Sequence, residues 1–119
     1  MYKLNFINDP KNSLLKTIVK GNKKSEGRVL SDYIKSFKIG EELLLQASQE
    51  FVVCEISYLN FYESFEEMLN TEGFKNMIPF AQCFDEALRV YKSFPGANRV
   101  KVNGCCAIGI KYLRGKLLE

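Results

Sequence analysis

The 119-residue sequence contains no histidine. Without an imidazole the chain can form neither a Ser-His-Asp triad nor a Cys-His dyad, and the histidine-containing zinc motifs are excluded as well. The four cysteines form no C-x-x-C motif, and Cys105 and Cys106 lie side by side in an apolar run. This placement favours reduced, buried thiols over disulfides or a metal site. We therefore expect no metal and no cofactor, and any catalysis must use lysine, carboxylate, hydroxyl or thiol groups.

Long apolar segments are also missing. No apolar run approaches the roughly 20 residues that a membrane-spanning helix needs, and the first ten residues lack the apolar core of a signal peptide. We therefore expect no membrane partner and a cytoplasmic location, with the nucleus as the alternative. A hydrophobic content of 46% and a charged content of 26% are typical of a globular protein. The length predicts a single domain over residues 1–119.

Charge is distributed unevenly along the chain, although the net charge is only +3. Residues 1–40 contain nine basic and three acidic residues, a balance of +6. Residues 41–88 contain one basic and ten acidic residues, a balance of −9, and residues 89–119 return to +6 with seven basic residues and one acidic residue. If the two basic ends meet in the fold, they form one positive surface that attracts a polyanion. The alternative is that they solvate two unrelated faces.

The pattern of apolar residues predicts the element order β-α-β-loop-β-β-α-α-β. Strands are predicted over the segments YKLNFI, EGRVL, ELLLQAS, FVVCEISYLNFY and CCAIGIKYL. The segment SDYIKSFKIGEEL is predicted to be a connecting loop. Because strands and helices do not alternate regularly, we expect an α+β fold. Strands of these lengths fit a small, partly closed β-barrel of about five or six strands flanked by helices.

Several local signals predict where helices and turns begin or end. The first helix is expected to start at Asp9-Pro10, an N-cap followed by proline, and to end at Gly21. Ser64 and Glu67 have the spacing of a capping box, which predicts another helix start. Asn103-Gly104 is a strong turn signal.

The segment from Gly21 to Arg28 carries the pattern G-x-K-x-x-E-x-R, to which Lys24 adds a further positive charge. Gly21 permits the left-handed turn that redirects the chain after the helix. Glu26 and Arg28 lie two apart in a predicted strand, so their side chains share a face, and Lys23 precedes them at the turn. A carboxylate between two cations stays ionised and can accept hydrogen bonds from the exocyclic amine of a base, while a cation holds phosphate or a carbonyl group. Three interpretations remain open: an ion pair that pins the strand, contact with a ligand, and catalysis.

This octad and its surroundings resemble the ASCH family of the PUA-like superfamily, whose signature is GxKxxExR between the first helix and the following strand. All four signature positions match, at Gly21, Lys23, Glu26 and Arg28. The resemblance continues through the segments KIGEELLL, SYLNFYESFEEMLNTEG, FDEALRVYKSF and GCCAIGI, and so covers most of the chain. It implies a small β-barrel flanked by helices, with a cleft beside the signature.

The resemblance also implies binding of RNA or another nucleic acid, often in connection with translation or transcription coactivation. Some bacterial ASCH proteins hydrolyse the amide of N4-acetylcytidine, and others cleave RNA. The hydrolases use a lysine at the position of Lys23, a threonine nucleophile at the position of Glu26, and a glutamate on the late helix, for which Glu86 or Asp85 is the candidate. Because Glu26 replaces that threonine, we expect little or no deacetylation.

We therefore predict a nucleic-acid-binding domain whose cleft holds RNA or a modified nucleoside. The candidate binding residues are Gly21, Lys23, Lys24, Glu26 and Arg28. The alternative is an amidohydrolase on N4-acetylcytidine-type nucleosides, with Lys23, Glu26 and Glu86 in catalysis. An RNA-cleaving enzyme is a third hypothesis, which rests on family analogy.

Aromatic and basic side chains outside the octad form a second set of candidates. One of four clustered aromatic residues could stack on a base, although such residues are more often core: Tyr58, Phe61, Tyr62 and Phe65. Arg99 and Lys101 could extend a basic surface, and Tyr91 is most simply a residue that packs a helix.

Overall fold

A computed structural model describes residues 1–7, 9 and 11–118. In these residues a five-stranded mixed sheet curls into a half-barrel, and six α-helices flank it. The strands are β1 (Tyr2–Asn5), β2 (Ser25–Val29), β3 (Glu42–Ala47), β4 (Glu50–Tyr62) and β5 (Cys105–Lys116). The helices are α1 (Leu14–Val19), α2 (Asp32–Lys35), α3 (Phe65–Glu72), α4 (Phe74–Met77), α5 (Phe84–Lys92) and α6 (Val100–Asn103), and a 3-10 turn at Ala97–Arg99 precedes α6.

The strand order is β1-β3-β4-β5-β2, so that β1 and β2 form the two edges of the sheet. Strands β1 and β3 pair in parallel, and the other neighbours are antiparallel. This arrangement confirms the predicted α+β fold and strand number, with the barrel open between β1 and β2. The Arg28 side chain crosses the opening, because its Nη2 donates a hydrogen bond to the Asn5 carbonyl at 2.8 Å.

Two apolar cores lie on opposite faces of the curled sheet. The inner core fills the half-barrel and includes the buried residues Leu43, Leu45, Ile56 and Ile108. The outer core lies between the sheet and helices α3 and α5 and includes Met68, Leu69, Tyr91 and Ala107. Alternate residues of β5 serve the two cores, and residues 105–110 are therefore buried on both faces. The register of β4 against β5 shifts twice, which bends the long strands and lets the sheet curl.

The start of the first helix differs from the prediction. Helix α1 is capped by Ser13, whose Oγ accepts a hydrogen bond from the Lys16 amide at 3.3 Å. Asp9 does not cap the helix: its Oδ1 accepts from the amides of Lys11 and Asn12 within the preceding turn. Pro10, the other half of the predicted start, lies outside the described residues. A serine with extended backbone provided the better cap, four residues later than expected.

Other local predictions have mixed outcomes. The predicted helix start at Ser64 is confirmed, because the Ser64 Oγ accepts from the Glu67 amide at 3.1 Å, which is one of the two bonds of a capping box. The segment predicted as a loop contains the single-turn helix α2, capped by Ser31. Asn103-Gly104 ends helix α6, and Gly104 has a φ of +74°, so the predicted turn is the left-handed end of a helix. In residues 1–7, 9 and 11–118, no helix is both long enough and apolar enough to cross a membrane.

The cysteine prediction holds for three of the four residues. Cys54, Cys105 and Cys106 are free and buried, as expected for strand residues of the apolar cores. Cys83 is free but exposed, because it precedes α5 as its N-cap residue. In the described part of the chain, no group of histidine, cysteine or acidic side chains is arranged to hold a metal ion.

Candidate ligand-binding cleft

The turn between α1 and β2 is held in place by backbone hydrogen bonds. Gly21 has a φ of +82°, a left-handed conformation that ends α1 as predicted. The Lys23 amide then donates back to the Thr17 carbonyl at 3.1 Å. The Lys24 carbonyl accepts from the Ile110 amide at 3.1 Å, which starts the pairing of β2 with β5. The turn therefore delivers Lys23 to a defined position immediately before the strand.

Lys23, Glu26 and Arg28 form one buried ionic group, which we call the K-E-R triad. The Lys23 Nζ lies 3.0 Å from the Glu26 Oε1, and the Arg28 Nε lies 2.8 Å from the Glu26 Oε2. The Lys23 Nζ also donates to the Met77 carbonyl at the end of α4. The exposed fractions of the three side chains are 0%, 6% and 28% in chain order. The triad thus contains the ion pair between Glu26 and Arg28, which was one of the three interpretations of the octad. Arg28 is the most exposed member of the triad.

The charges of the triad set the ionisation of its members. Burial opposes ionisation of Glu26, but the charges of Lys23 and Arg28 outweigh it and hold the pKa of Glu26 below its ordinary value. Burial lowers the pKa of Lys23, and the attraction of Glu26 limits the drop. Glu26 is therefore an ionised hydrogen-bond acceptor at neutral pH and a poor proton acceptor.

A cavity of about 470 Å³ runs along the free edge of β2. Glu26, Gly27 and Arg28 contribute to its floor, and Lys23 is not among the described residues that line it. One wall comes from residues 5–7, 9, 12 and 14, and the other from residues between 90 and 103. Both walls therefore come from the two basic ends of the chain. The ends meet in the fold, which was one of the two alternatives that the distribution of charge left open.

The cavity is lined by aromatic rings as well as by charged groups. The rings belong to Phe6, Phe65, Phe80, Tyr91 and Phe94. The Arg28 guanidinium carbon lies 5.4 Å from the centroid of the Phe6 ring, within the range of a cation–π contact. Arg99 lines the rim and is exposed to solvent. The cavity therefore combines apolar flat surfaces with two carboxylates, of Asp9 and Glu26, and two guanidinium groups.

Gly27 allows helix α5 to approach the strand closely. A Cβ atom at this position would lie 2.8 Å from the Tyr91 hydroxyl and 2.7 Å from the Met68 Cε. In the absence of a side chain, the Gly27 amide donates to the Tyr91 hydroxyl at 3.3 Å. This hydrogen bond lies on the side of β2 that faces away from β5, so the outer edge of the strand points into the cavity.

The remaining predicted residues lie outside the cavity wall. Gly21 is exposed and acts through the backbone, and the Lys24 side chain is exposed near the turn. Glu86 accepts a hydrogen bond at 3.1 Å from the amide of Gln82, which lies just before the start of α5, and Asp85 is exposed on the same helix. Neither carboxylate is among the described residues that line the cavity with Glu26. The residues of this helix that line the cavity are Val90 and Tyr91.

Sequence reasoning missed most of the aromatic lining. Tyr91 was assigned to helix packing. Gly27 was the available signal for its role, because a glycine inside a strand often marks a place where another group approaches the backbone closely. Phe6, Phe80 and Phe94 were not singled out, and their sequence surroundings carry no signal that separates them from core residues.

Comparisons with known proteins identify solved structures of similar fold. No family model matches the sequence, and no curated protein matches it. The crystal structure of the hypothetical protein PH0355 is similar with a TM-score of 0.79 and 27% identity, over 93% of this chain and 99% of that one. The solution structure of protein PF0455 from Pyrococcus furiosus has a TM-score of 0.72 and 26% identity, over 93% of this chain and 97% of that one.

A third solved structure carries a family name. It is the crystal structure of ASCH from Zymomonas mobilis, with a TM-score of 0.59 and 11% identity, over 95% of this chain and 71% of that one. At this identity the likeness concerns the fold alone. The chain therefore has an ASCH-like fold, as the sequence resemblance predicted.

Proposed function

We propose that this domain binds single-stranded RNA and holds one nucleotide in the cavity along β2. The observation that carries the proposal is the lining of that cavity, in which Glu26 and Arg28 of the K-E-R triad and aromatic rings meet at a free strand edge. Its volume of about 470 Å³ falls within the range of about 300–1,000 Å³ that is usual for small-molecule sites. The ASCH-like fold supports the proposal, because nucleic-acid binding is what the sequence resemblance implies.

The triad provides the polar contacts of the base. Each carboxylate oxygen of Glu26 can accept more than one hydrogen bond, so both oxygens can accept another while paired with Lys23 and Arg28. An exocyclic amine or ring N–H of a base is a suitable donor. The Arg28 Nη1 has no acceptor among the described residues, and it can donate to a carbonyl group or phosphate of the ligand.

The aromatic rings provide the apolar surface. Phe6, Phe80 and Phe94 are half-buried and line the cavity, so each presents part of a ring to a bound base. Stacking on an aromatic side chain contributes about 1–3 kcal/mol per base. Single-stranded RNA has unpaired bases available for such contacts, whereas a duplex does not.

Basic side chains near the cavity provide attraction for the phosphates. Arg99 is exposed at the rim, Arg28 and Arg99 offset the lining carboxylates of Asp9 and Glu26, and the chain segments 1–40 and 89–119 that supply the walls each carry a balance of +6. Release of counterions from RNA makes such binding fall steeply with salt. A cytoplasmic or nuclear location, which stays a prediction, would bring the domain to RNA.

The hydrolase alternative gains no support from the cavity. The Lys23 side chain is wholly buried between Glu26 and the Met77 carbonyl, and Glu86 is engaged at the start of α5. Amide hydrolysis needs a nucleophile, a base and oxyanion stabilisation around one reacting atom. Ser25 is fully buried and alternates with Glu26 in β2, so it faces away from the carboxylate. We therefore place binding above catalysis.

The proposal is tested with a fluorescein-labelled uridylate octamer and fluorescence anisotropy between 50 and 200 mM salt. We expect binding at low salt and a negative slope of log affinity against log salt. Arg99→Ala should weaken binding and reduce the magnitude of that slope by about 0.7, the contribution of one phosphate contact to a single strand.

Arg114→Ala is the matched control. Arg114 is exposed, pairs with Glu42 at 2.8 Å, and lies eight residues along β5 from the partner of Arg28, a separation of about 25 Å along a strand. The Arg114→Ala substitution removes the same charge far from the cavity, so it should leave the slope of log affinity against log salt nearly unchanged. Absence of binding at 50 mM salt, or equal effects of the two substitutions, would contradict the proposal.

A further inference from the structure

The hydroxyl of Tyr91 can donate a hydrogen bond that it does not make within the fold. Tyr91 lines the cavity and is 1% exposed. Its oxygen accepts a hydrogen bond from the Gly27 amide at 3.3 Å. Its O–H donates no hydrogen bond to any of the described residues. A buried hydroxyl whose hydrogen has no partner is costly unless a bound molecule or water accepts it.

The surroundings of Tyr91 hold this hydroxyl in a defined position. Its ring stacks on Phe65 with centroids 5.4 Å apart and meets the edge of Phe94 at 5.8 Å. The absence of a Cβ at Gly27 lets the hydroxyl reach the outer edge of β2. Because the Gly27 amide occupies one lone pair of the oxygen, the hydrogen points away from that amide. The free donor is therefore oriented before any ligand arrives.

We propose that Tyr91 donates a hydrogen bond to an acceptor atom of the base held in the cavity. This inference rests on the proposed function and adds a base contact from α5 to those of the K-E-R triad. Glu26 can only accept while it is ionised, whereas the Tyr91 hydroxyl supplies a donor on the other side of the strand edge. Together they match a base edge that carries both donors and acceptors.

The ionisation of Tyr91 is consistent with this role. Burial raises the pKa of Tyr91 well above its ordinary value, and the nearby charge of Glu26 acts in the same direction. The phenol therefore stays protonated at neutral pH. It acts as a donor and does not serve as a base.

The test compares Tyr91→Phe with the wild type on two probes, a uridylate octamer and an octamer with the same backbone and no bases. Both are measured by fluorescence anisotropy at one salt concentration. Loss of one hydrogen bond, with the base acceptor left unpaired, should weaken uridylate binding about tenfold. Binding of the abasic octamer should be unchanged, because the backbone contacts remain. An equal loss on both probes, or no loss on either, would overturn the assignment.

Tyr62→Phe is the matched control. The Tyr62 hydroxyl donates to the Glu72 carboxylate, and neither residue is among the described residues that line the cavity. This substitution removes a phenol oxygen without touching the cavity, so both probes should bind it as they bind the wild type. A tenfold loss for Tyr62→Phe as well would assign the effect to packing and contradict a specific role of Tyr91.

A measurement on the wild type covers the case in which Tyr91→Phe does not fold. When the hydroxyl donates to a base, its bond from the Gly27 amide strengthens through cooperativity. The Gly27 amide proton should then shift downfield in NMR spectra with uridylate and stay unshifted with the abasic octamer. The absence of that shift would overturn the role of Tyr91. A wild type that binds the uridylate octamer no better than the abasic one would overturn the proposed base site itself.

Discussion

Replacing Glu26 by glutamine tests the physical basis of the K-E-R triad. The substitution keeps the shape of the side chain and removes its charge. The two oxygens that accept from Lys23 at 3.0 Å and from Arg28 at 2.8 Å become one acceptor and one NH₂ donor. One cation then faces a donor, and the Lys23 ammonium, which is wholly buried, loses its counter-charge.

The expected loss of stability is large. Removing one partner of a buried ion pair costs about 3–5 kcal/mol, because the other charge stays buried and uncompensated. The total stability of a domain is about 5–15 kcal/mol, so the variant should be close to unfolding. With a urea m-value of about 2 kcal/mol/M, a loss of about 4 kcal/mol lowers the unfolding midpoint by about 2 M.

The pH dependence of the loss has a defined sign. Without the negative charge of Glu26, burial of Lys23 is opposed far less, so the pKa of Lys23 in the folded variant falls further below its ordinary 10.5. The unfolded chain then binds more protons than the folded chain between that lowered pKa and 10.5. Stability of Glu26→Gln therefore rises with pH in this window, and its deficit against the wild type narrows from pH 7 to pH 9.5.

Urea unfolding followed by circular dichroism at both pH values measures these effects. The double variant Lys23→Met with Glu26→Gln should be more stable than Glu26→Gln alone, since it no longer buries an unpaired ammonium. A loss below about 1 kcal/mol at pH 7, or a deficit that widens with pH, would refute the electrostatic account of the triad.

Three further predictions concern packing, acid stability and thiol reactivity. Gly27→Ala places a Cβ within 3 Å of Met68 and Tyr91, and the overpacking should cost about 1–3 kcal/mol in urea unfolding; unchanged stability would show that α5 moves freely. The pKa of Glu26 in the folded protein lies below its ordinary 4.5, so the ionised carboxylate contributes its full stabilisation above pH 4.5 and loses it as the pH falls through the pKa of the folded state. A plot of the free energy of unfolding against pH should therefore fall less steeply below pH 4.5 for Glu26→Gln than for the wild type. Identical slopes of the two proteins would contradict this prediction. A thiol reagent at pH 8 should modify Cys83 rapidly and the three buried cysteines slowly, because burial raises the pKa of each buried thiol to about 12; four equal rates would contradict the buried placement.

Local interactions explain why much of the fold could be predicted. Gly21 ends α1 and Ser64 caps α3, since both act within a few residues of their own position. Strand alternation placed Glu26 and Arg28 on one face, and their contact of 2.8 Å follows from that spacing. The start of α1 failed as a prediction, because two competing caps, Asp9 and Ser13, lie within five residues and the sequence does not rank them.

The candidate site could be predicted only in part. The K-E-R triad was recognisable from the octad because its members lie within six residues. The Met77 carbonyl that receives the Lys23 ammonium lies 54 residues away, and no local pattern connects the two. The role of Glu86 at the start of α5 also depended on how that helix packs, since a shift of one residue changes the face on which a carboxylate lies.

The sequence by itself determined the segregation of charge, the absence of imidazole chemistry, the alternation that forms the strands, and the signature that pairs a carboxylate with two cations. Each of these depends on residue type and short spacing. Tertiary structure alone decided that β2 is an edge strand, that residues 5–7 and residues between 90 and 103 line one cavity beside it, and that Tyr91 reaches Gly27. These features depend on contacts between segments that are distant in the chain. The contacts form together when the two apolar cores are buried, so no single stretch of residues specifies them.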